Sequence, residues 1–562
     1  MRRRLGALLA TASLVVAGAA PAVVARADAA GPQGAAGYRL STLVKGAAIH
    51  GANGLAIDRQ GRLLVASAMG AEIVGVQRST GQVVKRWGHA AGVDSPDDVA
   101  VGPDGSVYWT DLPAGEVGRR TPDGKVTKQF VGAGVNPIAF SPSGRLFVAR
   151  AFLGDGLYEL DPALQKPPRV VIPDSGKAPF PNQLNGFDFS PGGQLFAPQP
   201  FRGRIVKINP DTGAMRTVTG AFAKRPPTSV EFDSHGRLYA SLYTGTIVRV
   251  NRSTGAHVRY ANIRGGILDN MVFSRTDRLY VSNSDTGALY TVSTARKVST
   301  LTPGGLILPG GLALMRGSTG RTSLFASDIW SVPEYNPTTG ALIGIDRQSR
   351  AGGGISDSWS LARNNHTLII TSWFSNTVQL WNPVTNKAVA TWKDFKVPVS
   401  GVRFQGDLVV AQLGDGTVVR APAKGARETL ASGLTVPAGL LAAGDSLYVS
   451  DWATGTVWQI AKNGVKLATP VAVATKLAHP EGMVLDTHGR LLVVESGAGR
   501  LTRVNLTTGA VRTVARGLAT GLVGSKAAPP TWALAGVAVR RDGTVFVSGD
   551  RGNVIYKLSP TS

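Results

Sequence analysis

Three observations predict an all-β chain. Twelve copies of one motif run through the sequence at intervals of 38 to 54 residues. They begin at Asn53, Asp97, Asn136, Asn185, Thr228 and Asp269, then at Gly310, Asp357, Ser400, Ala438, Glu481 and Ala535. Each copy holds four short runs rich in Val, Leu, Ile and aromatics between DG, SG, HG or TG turns, as in "GRLYASLYTGTIVRVNRSTGAHVRY". Runs of that length between turn residues are strands. The 562-residue chain carries 70 Gly and 33 Pro, so it is turn-dense, while 43% hydrophobic content argues against disorder. No segment sustains a helical period. Four-stranded repeats of this length are propeller blades. Twelve of them predict two tandem six-bladed β-propellers of four-stranded antiparallel blades.

Along the chain, residues 1–29 read first as a secretory signal peptide. Arg2, Arg3 and Arg4 precede the apolar "LGALLATASLVVAGAA", and "ADA" (Ala27 to Ala29) offers small residues for cleavage. A secreted, extracellular protein without a transmembrane anchor is therefore expected. A spare strand, "YRLSTLVKG" (Tyr38 to Gly46), comes next, and "RKVSTLTPG" (Arg296 to Gly304) occupies the same place before the seventh copy. The last copy ends at "GNVIYKLSPTS", one strand short. If each ring starts with an outer strand that closes its own last blade, the first propeller is 38–295 and the second 296–562. Closure of this kind removes a free sheet edge.

The sequence has no cysteine, which excludes disulfides, a thiol nucleophile and thiolate-bound metal. Its formal charge is +24, and loss of residues 1–29, with four Arg and one Asp, leaves +21. The basic residues are scattered and no nucleic-acid motif appears, so a nucleic-acid partner is not expected. A small-molecule or cell-envelope ligand is expected instead, and a monomer. There is no P-loop, no dinucleotide fingerprint and no G-x-S-x-G elbow.

The blade "VGPDGSVYWTDLPAGEVGR" resembles those of virginiamycin B lyase, and "LNGFDFSPGGQLFAP" and "LDNMVFSRTDRLYVSNSDTG" resemble gluconolactonase (senescence marker protein) blades. Both families, with NHL-repeat proteins, belong to one six-bladed superfamily, and the resemblance covers nearly all of 38–562. It implies the fold strongly and an activity weakly.

Two positions per blade face one end of such a ring: the residue before the innermost strand and the residue ending the second strand. In the first propeller the inner positions are Asn53, Asp97, Asn136, Asn185, Thr228 and Asp269, all able to offer oxygen, as a hard divalent cation such as Ca²⁺ prefers. Gluconolactonases hold one divalent ion through a Glu, an Asn and an Asp. The resemblance maps the Asn and Asp onto Asn185 ("LNG") and Asp269 ("LDN"), and the Glu has no match in the first propeller. Asp97 is then the expected third oxygen donor and a catalytic carboxylate. Asn53, Asn136 and Thr228 are expected ligand-binding positions. The same residues equally serve turns.

At the outer positions, Asp111, Asp451 and Glu495 are expected to brace loops. Arg150 stands apart and is expected either to hold a substrate carboxylate or to pair with Asp97. In the second propeller the polar ligand-binding candidates are Asp357 and Glu481, with His479 beside Glu481 as a general base if the chemistry is lyase-like. His235 and His488 lie in turns. Eight of the ten tryptophans fall in the second half, where aromatics at a channel mouth stack on sugars or flat ligands, or fill space between blades. Three functions follow: a secreted metal-dependent lactone or ester hydrolase working in the first channel, a non-catalytic ligand- or protein-binding scaffold at the cell envelope, or a streptogramin-lyase-like enzyme.

Overall fold

The computed structural model describes residues 31–561, except 179, 181, 221, 223, 224, 266, 349–353 and 525–528. The expected signal peptide lies outside the described residues. The strands form twelve antiparallel sheets, each stepping outward strand by strand, and the chain divides into two compact units.

The second blade shows why these residues form a sheet. Pro96–Val101, Val107–Asp111, Glu116–Arg120 and Val126–Phe130 pair in that order. Burial falls from the centre outward. Val107–Asp111 is almost wholly buried and Val126–Phe130 partly exposed. Second strands lie between neighbouring blades, so both faces are covered and they read as continuous apolar runs. Trp109 fits because an added Cβ at Gly118 on the next strand would stand 2.1 Å from its ring. Several outer hairpins share the motif N-x-x-T-G. Asn209, Asn251, Asn336 and Asn505 each accept two backbone N–H groups of the turn. The fifth residue has a positive φ, as at Gly213 (φ 71); in "NPVTN" Asn386 takes that place at φ 53.

The first unit is residues 47–305, with Gly524, Pro529 and Pro530. Its innermost strands are Leu55–Ile57, Pro96–Val101, Val135–Phe140, Asp188–Phe189, Pro227–Phe232 and Leu268–Phe273, and each neighbours the next until the sixth meets the first. Leu55, Leu63 and Val65 pack on Tyr280 and Leu289 across that closing seam. The second unit takes the described residues up to Gly46, with 306–523 and 531–561. Its inner strands Leu312–Arg316, Ser360–Asn364, Pro398–Phe404, Pro437–Ala443, Pro480–Leu485 and Val537–Val539 close a ring in the same way. Both units are six-bladed β-propellers.

The closure differs from the one expected. Tyr38–Lys45 pairs with Val554–Pro560 in the last blade of the second propeller, and Val298–Thr302 pairs with Leu289–Val292 in the last blade of the first. Boundaries of 38–295 and 296–562 are therefore replaced by 47–305 for the first ring, with the second ring assembled from segments on both sides of it. The physical reason is local. Leu289–Val292 reaches Val298–Thr302 through a five-residue turn, at far lower loop-closure cost than a strand some 250 residues away. The edge left in the last blade is filled by Tyr38–Lys45, whose Val44 is buried with Leu312, Phe546 and Ile555.

Candidate functional site

The ring residues of the first propeller sit where its inner strands are irregular. Register shifts fall between Pro96 and Asp98, Val135 and Ile138, Pro227 and Ser229, and Leu268 and Met271. A bulge at a strand start re-aims the side chains it carries. Here Asn53 of the first blade donates its side-chain amide to Asp269 Oδ2 at 3.1 Å and to Asp97 Oδ1 at 3.5 Å. One amide thus joins carboxylates from the blades on either side.

A second group lies beside this one. Asp98 Oδ1 accepts from Val99 N at 2.9 Å and Asn270 Nδ2 at 3.0 Å, and Oδ2 accepts from Ile138 N in the next blade at 3.1 Å. Gly54 permits this approach, since a Cβ there would stand 2.1 Å from Asp98 Oδ1. Asp188 repeats the device, accepting from Phe189 N at 2.7 Å and Phe232 N of the next blade at 2.8 Å.

The charges in this group repel one another. Burial, then Asp269 and Asp98, hold Asp97 well above the usual carboxylate range. Burial raises Asp98 to about 7 and Asp188 to about 6, although backbone N–H groups oppose both shifts. Burial and Asp188 raise Glu231 well above its ordinary value. Buried like charges in contact keep protons near neutral pH unless a cation replaces them.

The structure brings Asn53, Asp97 and Asp269 together by hydrogen bonds, and Asn185, matched by the resemblance to the metal-binding Asn, is not in that bonded group. Asn185 is anchored by its backbone N–H, which donates to Pro198 O at 3.2 Å. Asn136 is buried and its carbonyl accepts from Thr110 Oγ1 at 2.6 Å, while the Thr228 hydroxyl bonds the Ser241 hydroxyl at 2.6 Å. Arg150 does not pair with Asp97. It pairs with Asp174 at 2.6 Å and donates to the carbonyls of Ala133 and Leu153, because a guanidinium with five donors takes the acceptors its own blade supplies. Asp188, Glu231 and Asn270 were missed. The signal was a carboxylate inside an inner strand, in "NGFDFS" and "SVEFDS", where other copies carry Ala56, Ala100 or Ala139.

The second propeller uses its acids differently. Glu481 is buried, accepts from Ala535 N at 2.6 Å and Thr531 Oγ1 at 3.1 Å, and is raised to about 8 by burial and by Asp550. Asp357 is buried and accepts from Gln348 Nε2 at 2.6 Å. His479 stacks on Trp452 with ring centroids 3.7 Å apart, and burial lowers its pKa. The outer acids brace loops: Asp451 accepts from Thr435 N and Val436 N, and Glu495 from Ala478 N and Arg500. Asp111 accepts from Ala114 N at 3.3 Å in the first propeller. His235 and Asp277 pair at 2.9 Å near Asp233, but Arg237, Tyr239 and turn N–H groups already occupy that aspartate.

No protein-family model and no curated protein matches the chain. Solved structures do. Virginiamycin B lyase from Staphylococcus aureus is 11% identical, covering 51% of this chain and 95% of its own at a TM-score of 0.37. A candidate gluconolactonase is 14% identical, covering 48% and 95% at 0.36. The extracellular domain of a candidate hybrid two component system from B. thetaiotaomicron is 11% identical, covering 93% and 83% at 0.33. The chain is a tandem β-propeller. Its sheets and their ring closure establish that independently of these distant likenesses.

Proposed function

We propose that this tandem β-propeller is a secreted protein that holds one divalent cation, calcium by donor type, in the first propeller and hydrolyses a lactone or ester there. One observation carries the reading: the Asn53 amide lies between Asp97 and Asp269. The donor set fits. Both carboxylates are oxygen ligands, and turning the Asn53 amide over presents Oδ1 in place of Nδ2. Such a cation polarises a carbonyl and lowers the pKa of bound water. Without the cation, burial, Asp269 and Asp98 hold Asp97 well above the usual carboxylate range, and a cation held there would favour its ionised form. Asp98 and Asn270 keep the carboxylate neighbourhood in register, since Asp98 is bonded to two blades beyond its own. Arg150 is excluded from the catalytic set because Asp174 and two carbonyls occupy its fork.

A second reading, a binding scaffold without turnover, is favoured by Asp98 and Asp188, whose oxygens are taken by backbone N–H groups. Lyase-like chemistry has less support, because His479 is stacked on Trp452 and Glu481 is bonded to Ala535 and Thr531. Metal analysis of the purified chain and of Asp97→Asn and Asp269→Asn, with a lactone and aryl-ester panel, separates the readings. Stoichiometric metal lost in both variants, with EDTA-sensitive hydrolysis, supports the enzyme. Metal without turnover leaves the scaffold. Wild type without metal or turnover overturns the enzyme and leaves the scaffold.

A further inference from the structure

The second propeller carries an aromatic face that its fold does not require. The residues after its second strands are Trp373, Leu413, Trp452, Ser496 and Asp550, with Ile329 three residues past Ala326 in the first blade. The same places in the first propeller hold Ala68, Leu112, Ala151, Pro200, Tyr243 and Ser284, and that ring closes as well. Trp373 and Trp452 pack in part on the apolar cluster between blades, but a ring closes without indoles at these places.

At this end three indoles gather from two blades. Trp373 lies 4.6 Å from Trp359 and 6.0 Å from Trp532, whose plane is within 24° of both. Phe374 stands edge-on to Trp373 at 5.8 Å and is 36% exposed. Gly310 lets the cluster approach the first blade, since a Cβ there would stand 2.6 Å from the Trp359 carbonyl. Trp373 and Trp452 rest on the same apolar cluster, so the Trp452–His479 stack continues the face. His479 adopts φ 55, a conformation that costs energy in a non-glycine residue and collects at binding sites. Among the described residues, the indole N–H groups of Trp359, Trp452 and Trp532 are buried without an acceptor, whereas that of Trp373 donates to Trp532 O at 3.1 Å; Trp359 and Trp532 are only 3% and 5% exposed. Unmet donors in an ordered cluster call for a polar ligand or water.

We propose that this face binds a neutral glycan, with pyranose C–H faces stacking on Phe374 and Trp373 and sugar hydroxyls answering the indole donors. Trp532 is stacked on Trp359 and Trp373 at 24° and 23°, and Trp359 and Trp373 are tilted by 44°, so the three indoles form a layered group and not walls around a point, as a quaternary-ammonium cage needs. The net charge of +24 also disfavours a cationic ligand. The inference is independent of the cation site and separates the molecule into a reacting propeller and an anchoring one.

The test is titration of the full chain with neutral oligosaccharides of glucose, N-acetylglucosamine, mannose and galactose, read by tryptophan fluorescence and calorimetry. Tetramethylammonium forms a parallel arm. At least one oligosaccharide is expected to bind saturably, with affinity falling about tenfold or more in Trp373→Ala and Phe374→Ala. Phe374 is exposed, so its variant keeps the wild-type melting temperature and guards against misfolding as the cause. Asn53→Ala is expected to bind sugar normally. Absence of binding across the panel, binding unchanged in Phe374→Ala and Trp373→Ala, or binding of the ammonium ion alone overturns the proposal.

Discussion

The two propellers share a strand frame and differ in one column of residues. The residue after each ring position is Gly54, Asp98, Pro137, Gly186, Ser229 and Asn270 in the first, and Gly311, Ser358, Gly401, Gly439, Gly482 and Gly536 in the second. In the second propeller four of the five glycines face backbone, and Gly401 faces the Ile369 and Thr371 side chains. A Cβ at Gly439 would stand 2.2 Å from Glu481 O, at Gly482 2.4 Å from Ala535 O, and at Gly536 2.5 Å from Leu312 N. Its inner strands meet main chain to main chain, and side-chain chemistry is displaced to the rim. In the first propeller Gly54 faces the Asp98 carboxylate, and Gly186 faces Ser229 and Asn270. Polar side chains therefore occupy the centre. The frame sets the number of blades, and this column decides where chemistry is housed.

The largest expected effect tests the closure. Tyr38–Lys45 bonds along most of Val554–Pro560, and Leu40 and Val44 pack into the last blade. Losing about five such hydrogen bonds at roughly 1 kcal/mol each costs on the order of 5 kcal/mol, comparable to the stability of a domain. Deleting residues 38–45 is expected to abolish the second propeller's melting transition and leave the first intact. Tryptophan fluorescence reports mainly the second, with eight of ten indoles in that half, while circular dichroism reports both. Loss of both transitions together breaks the contrast.

The next largest effect falls on the glycine column. Gly482→Ala forces a methyl against the Ala535 carbonyl and is expected to cost about 3 kcal/mol, read as a lowered second transition. Gly192→Ala is the control, because nothing lies within 4 Å of its Cβ position. Equal behaviour of the two variants refutes main-chain contact as the distinguishing feature.

Much of this was legible in the sequence, and the failures share a cause. Turn residues and apolar runs are local, so twelve blades and both rings of positions could be read directly. Asp111, Asp451 and Glu495 were correctly read as braces, since an acid ending a second strand accepts the N–H groups of a loop. Closure was not legible because "RLSTLVKG" and "KVSTLTPG" share S-T-L and a final Gly and read as equivalent outer strands, and partner choice lies in chain connectivity. Asn53 and Asp269 were placed on one ring, but the bond between them spans 216 residues, and Asp269 sits in the register shift between Leu268 and Met271. Arg150 was misread because Asp174 lies beyond the repeat's shared pattern.

A pH comparison separates the two interiors further. Asp98 at about 7 and Asp188 at about 6, with Asp97 and Glu231 also raised, keep protons that the unfolded chain releases near pH 4. The contribution of Asp98 and Asp188 to stability is complete below that point and is lost as pH rises through about 6 to 7, and Asp97 and Glu231 act in the same direction. The first transition is therefore expected to fall by several degrees between about pH 5 and about pH 8. Millimolar calcium is expected to restore it at the higher pH. The second propeller, with Glu481 at about 8 and Asp550 at about 6, is expected to fall over a range reaching higher pH and to ignore calcium. Calcium that raises both transitions equally removes the distinction, and Asp98→Asn that leaves the first profile unchanged removes its assigned cause.

The smallest expected effect concerns Arg150, where the first propeller uses charge for construction. Arg150 bonds Asp174 and the carbonyls of Ala133 and Leu153, tying the end of the second strand to the loops around it. Asp174 does not depend on Arg150 alone, since Asp155 N at 2.7 Å, Gly156 N at 2.9 Å and the Tyr158 hydroxyl also reach it. Replacing the guanidinium by methionine keeps most of the side chain's volume and removes one partner from a carboxylate that retains three. The ion pair is partly exposed, with side chains 19% and 22% accessible, so screening reduces its worth. Arg150→Met is expected to destabilise the first propeller by about 1 kcal/mol, with metal content and any ester turnover unchanged. Asp97→Asn is expected to behave in the opposite way, losing metal while holding or raising stability above neutral pH, because it removes a repelled charge. If Arg150→Met instead abolishes turnover at wild-type stability, the guanidinium contacts substrate, and the division between a constructive outer position and a chemical inner ring fails at this blade.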